Sequence, residues 1–296
     1  PPPFRIFFCQ FLLATEMTHS LEIRSLTGTR PRPPLILPLL PFNMVLLDSN
    51  TLSTEVTTLR LESGTLLNYV AEKGANPRKE TKATYDDQNT LSAPNHNQRR
   101  RSSAHILNMN DDWEGVNHLC QLVDTIVYAE GEQHFFDSKN VLELGFATGL
   151  PSLFALGTGA QEVTVHCQCP ETRDLFVSPT LLKSYPSLSH RIKLTCGDLS
   201  ECRIKNKFDV ILAPELLNCP VEQYELIHNI LDLALADDGI CLITSRTAYL
   251  NTSGSLHEFV SLLAKHRKFT PLIRWEKSHT EVHPRQAIQI TRNLNF

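Results

Sequence analysis

The stretch Val141–Leu150, with the sequence VLELGFATGL, constrains the fold of this 296-residue chain more than any other. It begins as a short buried strand, turns through Gly145 and Gly149, and continues as an apolar helical pattern. Glycine lets the backbone turn sharply and approach a ligand closely. Glu143, at the end of the strand, can meet a hydroxyl or an ammonium group there. This order predicts a nucleotide-binding turn in a doubly wound α/β sheet.

The spacing of the glycines distinguishes two kinds of nucleotide site. Dinucleotide sites read G-x-G-x-x-G. This segment reads Glu-Leu-Gly-Phe-Ala-Thr-Gly and resembles the E/D-x-G-x-G-x-G turn of methyltransferases, with Ala147 at the middle glycine. The resemblance implies S-adenosylmethionine as the cofactor.

Composition narrows the possible partners. Hydrophobic residues make up 41% of the chain and charged residues 20%, as in globular proteins with a sizeable core. The formal net charge of −4 gives no overall attraction to nucleic acid or to an anionic membrane. We interpret the basic run Arg99–Arg101 as solvated linker charge, with a nuclear address or an RNA contact as alternatives. No apolar run approaches the ~18–20 residues of a membrane span. We therefore expect no direct nucleic-acid partner and no membrane partner.

The eight cysteines show neither a C-x-x-C pair nor the spacing of a disulfide framework. Cys167 and Cys169 lie two residues apart, but no further ligands at metal-site spacing accompany them. The pattern predicts free thiols, no metal site, and a reducing compartment such as the cytoplasm or the nucleus.

The chain divides into two regions. Residues 1–109 are predicted to form an irregular extension that ends in a polar, disordered linker. Within it, Leu46–Lys73 alternates patchily and is compatible with a strand or a short helix. Because the chain begins with Pro1 while Met17 and Met44 lie downstream, we expect the first 16 or 43 residues to be untranslated sequence. Residues 110–296 are predicted to form one methyltransferase-like domain.

Strand and helix patterns alternate regularly through the second region. The predicted helices are Trp113–Tyr128, Leu150–Leu156, Leu175–Leu182, Val221–Ala236 and Ser255–Lys265. The predicted strands are Asn140–Leu144, Val163–Cys167, Ile192–Cys196, Phe208–Ala213, Ile240–Thr244, Leu272–Trp275 and Ala287–Thr291. The alternation predicts a doubly wound, mostly parallel seven-stranded α/β sheet, with the last two strands antiparallel. Ligands of such sheets bind at the carboxyl ends of the central strands.

From Trp113 to Ile290 the chain resembles the seven-strand methyltransferases, and among them the protein-histidine methyltransferase family. The resemblance rests on four segments in the family's order. They are VLELGFATGL, similar to VLDLGCGTGL; Gly197-Asp198-Leu199-Ser200, similar to G-[DE]-W-S; Phe208–Leu212 with Pro214-Glu215, similar to YDLIL-x-S-E; and Ser245–Tyr249, similar to the start of S-K-x-x-Y-F-G.

The resemblance implies a function and a set of site residues. The family methylates a histidine of a large-subunit ribosomal protein, so a ribosomal or other cytosolic protein is the expected substrate of a monomeric enzyme. Glu215 is the candidate catalytic residue, because a carboxylate at the end of the fourth strand orients an acceptor imidazole beside the methyl group. The cofactor-binding candidates are Glu143, Gly145, Gly149, Cys169 and Asp198. Cys169 stands where the family has an aspartate that holds the ribose hydroxyls, and a thiol is a weaker acceptor.

Two other functions remain open at this point. The same scaffold serves lysine acceptors. Replacement of the family's E-G-G-x-K-x-W-E by Glu114-Gly115-Val116-Asn117-His118-Leu119-Cys120-Gln121 is compatible with a non-catalytic binding module.

Overall fold

A seven-stranded sheet forms the core of the computed structural model, which describes residues 54–72, 113–202, 204–276 and 284–293. Two further strands, β1 (Thr54–Arg60) and β2 (Leu66–Glu72), pair as an antiparallel hairpin. The strands of the large sheet are β3 (Asn140–Glu143), β4 (Glu162–Cys167), β5 (Ile192–Cys196), β6 (Phe208–Pro214), β7 (Leu235–Arg246), β8 (Phe269–Glu276) and β9 (Arg285–Arg292).

Five helical segments cover this sheet. They are α1 (residues 113–124, continued by one wide turn, Thr125–Ala129), α2 (Leu150–Gly157), α3 (Pro170–Thr172, Arg173–Val177 and Ser178–Ser184 in succession), α4 (Tyr224–Ala234) and α5 (Leu256–His266). Single 3₁₀ turns lie at Pro186–Arg191, Leu199–Glu201 and Val221–Gln223. Within the described ranges, no helix has both the length and the apolar character needed to cross a membrane.

The strand order confirms the predicted fold class. The order is β5-β4-β3-β6-β7-β9-β8. Strands β3 to β7 are mutually parallel, whereas β9 runs antiparallel to both of its neighbours. The winding reverses between β3 and β6, and a crevice at such a switch point is where doubly wound sheets bind ligands.

Alternate residues along the central strands belong to two separate hydrophobic cores, as the period of two in a strand requires. Val141 packs with α1, α2 and α3, whereas Leu142 packs with α4 and α5. Helices therefore cover both faces of the sheet.

The expectation of an irregular extension over residues 1–109 is wrong for the stretch that forms the hairpin. Leu59, Leu67 and Tyr69 are buried in the same core as α1 and α2. The pattern of β2 is patchy because the consecutive residues Tyr69, Val70 and Ala71 are all buried, so both sides of the strand are covered there, and the covering helices lie far away in the sequence. The rest of 1–109, including Arg99–Arg101 and Cys9, lies outside the described residues.

The predicted helix Val221–Ala236 is longer than the observed α4, which ends at Ala234. β7 begins directly afterwards, because Leu235 pairs with Phe208 ahead of an irregularity in the β6–β7 register. The exposed Asp237 and Asp238 therefore lie within a strand rather than in a turn.

Asp124 of α1 attaches the hairpin to the domain. Its carboxylate accepts hydrogen bonds from the Ser63 backbone N–H at 2.9 Å and from the Ser63 hydroxyl at 2.5 Å. Asp124 is only 2% exposed. A buried carboxylate that holds a turn of the hairpin is an anchor whose loss should act locally.

We predict that Asp124→Ala loosens the hairpin by about 1.5–3 kcal/mol, the range for hydrogen bonds to a charged group. Hydrogen exchange followed by mass spectrometry should show faster exchange of the β1 and β2 amides, with the sheet unchanged. Asp137→Ala is the matched control, because Asp137 is half-exposed and pairs with the exposed His134. Equal exchange in both variants would contradict the assignment.

Candidate functional site

The predicted site residues follow the carboxyl ends of four neighbouring parallel strands. Glu143 is the last residue of β3, and Cys169 follows β4. Asp198 follows β5, and Glu215 comes directly after β6. Because these strands are adjacent and parallel, the topology brings all four residues to one edge of the sheet.

Glu143 holds the glycine turn from inside the protein. One carboxylate oxygen accepts the backbone N–H groups of Thr148 and Gly149, each at 2.8 Å, and the other accepts that of Ser152 at 3.1 Å. Glu143 is completely buried, and burial raises the pKa of its carboxyl despite these hydrogen bonds. Its partners are thus the turn and the start of α2, in place of the ligand hydroxyl or ammonium expected from the sequence.

The two glycines are required by packing within the protein. Gly145 has φ of 84°, and a Cβ there would lie 2.4 Å from the Pro214 carbonyl oxygen of β6. Gly149 has φ of 79° and faces Val177 and Leu181 of α3, with 3.3 Å between a built Cβ and the nearest carbon of each. From the sequence, the backbone at these glycines is predicted to approach a ligand closely. In the structure it approaches β6 and α3 closely instead.

Ala147, at the middle glycine of the pattern, is tolerated. The described non-glycine residues with positive φ are Ser138, Glu215 and Arg267, so Ala147 carries no left-handed strain. Its added methyl group is buried.

Cys169 and Asp198 both cap helical turns. The Cys169 sulfur accepts the Thr172 backbone N–H at 3.5 Å at the start of α3. One oxygen of Asp198 accepts the Ser200 backbone N–H at 2.8 Å, and Asp198 is exposed. The end of β4 therefore presents a thiol, whereas the end of β5 presents a carboxylate to solvent.

His166 of β4 fixes the end of β5. Its Nδ1 lies 3.0 Å from the Thr195 hydroxyl and its Nε2 lies 3.1 Å from the Gly197 carbonyl oxygen. Burial lowers the pKa of this imidazole. His166 is therefore a neutral brace beneath the loop that carries Asp198.

Glu215 lies in a buried polar cluster. One carboxylate oxygen accepts a hydrogen bond from the Arg285 guanidinium, and the other accepts the Tyr249 hydroxyl at 2.6 Å. Burial raises the pKa of Glu215, against the opposing pull of Arg285. The side chain is 1% exposed. From the sequence, this carboxylate is expected to orient an acceptor imidazole. In the structure both of its oxygens are instead hydrogen-bonded within the protein.

The first described turn of α1 covers this cluster. A Cβ at Gly115 would lie 1.9 Å from the Glu215 carboxylate, so only glycine fits there. The Thr244 hydroxyl donates to the Gly115 carbonyl at 2.9 Å. Glu114 lies 3.5 Å from guanidinium nitrogens of both Arg246 and Arg285. Arg246 and Arg285 are paired across β7 and β9, so two carboxylates offset two facing positive charges.

An aromatic cluster lies beside the glycine turn. Phe146 of the turn meets Trp113 of α1 edge-on, with 5.9 Å between ring centroids. Trp113 also packs against Tyr69 of the hairpin at 5.1 Å. The hairpin and α1 thus reach the turn together.

Sequence reasoning missed Arg285, Tyr69 and the hydrogen-bonding role of Tyr249. A charged residue shortly ahead of the apolar residues Ala287 and Ile288 was the one available signal for Arg285. Tyr69 carried none, because it lies in a stretch with no clear period.

Comparison with known proteins supports a family assignment, although no family model matches the chain. The chain is 37% identical over 239 residues to the uncharacterized protein F22B7.9 of Caenorhabditis elegans. The match covers 80% of this chain and 93% of that protein. The chain belongs to the F22B7.9 family. Its seven-stranded sheet, in which only β9 runs against the other strands, has the fold of the seven-strand S-adenosylmethionine-dependent methyltransferases.

More distant similarities extend beyond the F22B7.9 family. The histidine protein methyltransferase 1 homolog of Dictyostelium discoideum is 28% identical over 177 residues, which cover 58% of this chain and 56% of that protein. The chain therefore matches little more than half the length of that relative.

Two solved structures are also similar to the chain. Magnesium protoporphyrin IX methyltransferase from Synechocystis has a TM-score of 0.46 at 15% identity, covering 71% of this chain and 91% of that one. The N-methyltransferase NodS from Bradyrhizobium japonicum also has a TM-score of 0.46, at 16% identity, covering 59% and 94%. Neither likeness bears on what this chain binds.

Proposed function

We propose that this chain is an S-adenosylmethionine-dependent protein methyltransferase whose acceptor is a histidine. The observation that carries the proposal is the glycine turn held by Glu143 at the switch point of a methyltransferase-type sheet. The Dictyostelium relative, named as a histidine protein methyltransferase homolog, supports the choice of acceptor.

The residues at the strand ends fit the cofactor in two of three places. Glu143 holds the turn from Gly145 to Gly149 through hydrogen bonds on the side that faces the protein core. The turn therefore has a fixed shape for a ligand on its other side. Asp198 offers an exposed carboxylate for the adenine amino group. At the ribose position, Cys169 offers a sulfur atom in place of a carboxylate, and this sulfur already contacts Thr172. When bound, the cofactor supplies a methyl group on a positively charged sulfur.

Transfer to a histidine requires mainly positioning from the protein. A neutral imidazole must present one nitrogen about 3 Å from the methyl carbon, in line with the departing sulfur. Because its carboxylate is buried, we assign Glu215 a positioning role. It packs against Gly115 in the first described turn of α1 and accepts a hydrogen bond from Arg285, so it holds this turn in place. We further propose a ribosomal or other cytosolic protein as substrate, and a monomeric enzyme in the cytoplasm and nucleus. The free thiols of the seven described cysteines are consistent with a reducing compartment.

Cys169→Asp should tighten binding of S-adenosylmethionine about tenfold or more. A carboxylate adds a charge-assisted hydrogen bond worth about 1.5–3 kcal/mol, and 1.4 kcal/mol corresponds to a factor of ten. Isothermal titration calorimetry on the full chain measures the change. Cys169→Ser is the matched control, since it keeps a small capping acceptor without adding charge. Equal affinity of Cys169→Asp and Cys169→Ser for the cofactor would contradict a contact between residue 169 and the ribose.

The acceptor is tested by a transfer assay. Labelled S-adenosylmethionine and the full chain are incubated with purified ribosomal proteins and with a cytosolic extract, and modified residues are identified by mass spectrometry. Methylhistidine that depends on the active chain supports the proposal. Methyllysine in place of methylhistidine would contradict the histidine acceptor and indicate a protein-lysine methyltransferase.

A non-catalytic binding module is the second candidate, and the state of Cys169 and Glu215 favours it. The ribose position lacks a carboxylate, and the predicted catalytic carboxylate is committed to Arg285 and Tyr249. This candidate predicts a folded chain that binds no cofactor and transfers no methyl group.

A further inference from the structure

Three potential metal ligands meet between α4 and α5. They are Glu225 and His228 of α4 and His266 at the end of α5, and one ligand atom of each lies within 4.8 Å of the other two. The two histidine rings are stacked, with 4.2 Å between their centroids. The Nε2 atom of His266 lies 2.9 Å from a carboxylate oxygen of Glu225. These helices pack on the face of the sheet opposite α1, α2 and α3.

His228 indicates that this cluster serves a ligand. It is 1% exposed, and neither ring nitrogen has a partner in hydrogen-bond geometry among the described residues, although the side chain of the exposed Asn229 lies nearby. Buried polar groups without partners are rare, because their desolvation is not repaid. Its other close ring neighbour is Phe269, whose edge-on ring at 5.5 Å offers no polar atom.

A metal ion at this place needs both histidines as neutral imidazoles, because only the neutral ring has a free lone pair for the ion.

We propose that Glu225, His228 and His266 bind a divalent transition-metal ion of the zinc class and thereby tie α4 to α5. Two imidazoles and one carboxylate are a common zinc ligand set, with the fourth position left to water. Glu225 and His228 are three residues apart, so both project from one side of α4. Zinc ligands at about 2.0–2.1 Å in tetrahedral geometry lie about 3.3 Å apart, so side-chain movements of up to about 1.5 Å complete the site.

The surrounding charges allow a cation. Lys265 lies 3.7 Å from Glu225 but is 72% exposed, so an incoming ion can displace it into solvent. Lys268 is held by Asp232 at 2.5 Å. The positive charges nearby are thus either mobile or neutralised.

The test is cobalt and zinc binding by the full chain after treatment with a chelator. We expect one Co²⁺ per chain with the visible absorption of a tetrahedral site, displaced by Zn²⁺. Glu225→Gln and His266→Gln should each weaken binding more than about tenfold, since even residues that merely orient metal ligands contribute that much. The matched control is His257→Gln, because His257 is an exposed histidine on α5, the helix that carries His266. This variant should bind cobalt as the wild type does.

The design separates a lost site from a lost fold. Glu225 is exposed, so its replacement by glutamine leaves the core unchanged, and far-ultraviolet circular dichroism checks each variant. Absence of the cobalt spectrum in the folded wild type, or equal affinity in Glu225→Gln, His266→Gln and His257→Gln, would overturn the proposal. His228 and His266 would then be a packing pair against Phe269.

Discussion

Replacing Arg285 with methionine is expected to lower the free energy of unfolding by about 3–5 kcal/mol, the range for removing one partner of a buried ion pair. Arg285 is fully buried and donates to Glu215, which is itself buried. Methionine fills much of the volume but leaves the Glu215 carboxylate without its counter-charge. Denaturant unfolding followed by fluorescence measures the loss.

A control and a double variant separate charge from volume. Arg274→Met removes an arginine from the neighbouring β8, whose pair with Glu130 is partly exposed, so a cost below about 1 kcal/mol is expected. In Arg285→Met combined with Glu215→Gln, no charge is left uncompensated, and the loss should be smaller than the sum of the two single losses. Strict additivity, or similar costs for the two arginines, would contradict the buried pair.

Glu143→Ala is expected to cost about 3–5 kcal/mol and to abolish cofactor binding. The substitution leaves the amides of Thr148, Gly149 and Ser152 without their acceptor in a buried place, and each unsatisfied group costs about 1–3 kcal/mol. The turn loses its fixed shape as well. Denaturant unfolding measures the first effect and calorimetric titration the second.

Two controls frame this prediction. Glu162→Ala on β4 removes a partly exposed pair with Lys193 and should cost no more than about 1 kcal/mol. Glu143→Gln keeps an acceptor for two of the three amides and should retain most of the stability. A Glu143→Ala variant as stable as Glu162→Ala would show that the carboxylate does not hold the turn.

The pH dependence of Glu143→Gln tests the burial of the charge. The unfolded carboxyl has a pKa of about 4.3, and burial raises the folded value. The folded state therefore binds the proton more tightly, so this stabilisation is present below about pH 4.3 and is lost as the pH rises through the folded pKa. As the pH rises from about 4.3 through the folded pKa of Glu143, the free energy of unfolding of the wild type should fall relative to that of Glu143→Gln. A constant difference would contradict a raised pKa.

The sequence predicted the sheet because its signals are local. Each central strand is an apolar run bounded by turn residues, and the glycine turn joins β3 to α2 within ten residues. The antiparallel pairing of the last two strands was also predicted, although only β9 runs against the rest of the sheet and β8 has the direction of β7. The hairpin was not recognised, because the helices that cover it, α1, α2 and α3, begin more than forty residues later in the sequence.

The candidate site was predicted in its residues but not in their contacts. The positions of Glu143 and Glu215 at strand ends follow from the pattern, whereas the direction of each carboxylate depends on groups distant in sequence. Glu215 turns toward Arg285, seventy residues later, and under Gly115, a hundred residues earlier. Burial of this kind follows from tertiary packing and has no signature in a single strand.

Calorimetric titration of the full chain with S-adenosylhomocysteine tests directly whether the β3 turn binds the cofactor, because the demethylated product binds the same site without turnover. We expect one site per chain with a dissociation constant in the micromolar range, and weaker binding in the folded Asp198→Ala variant. No heat of binding at millimolar ligand, with the wild-type chain folded, would contradict a cofactor site at the β3 turn and leave the fold as a binding module.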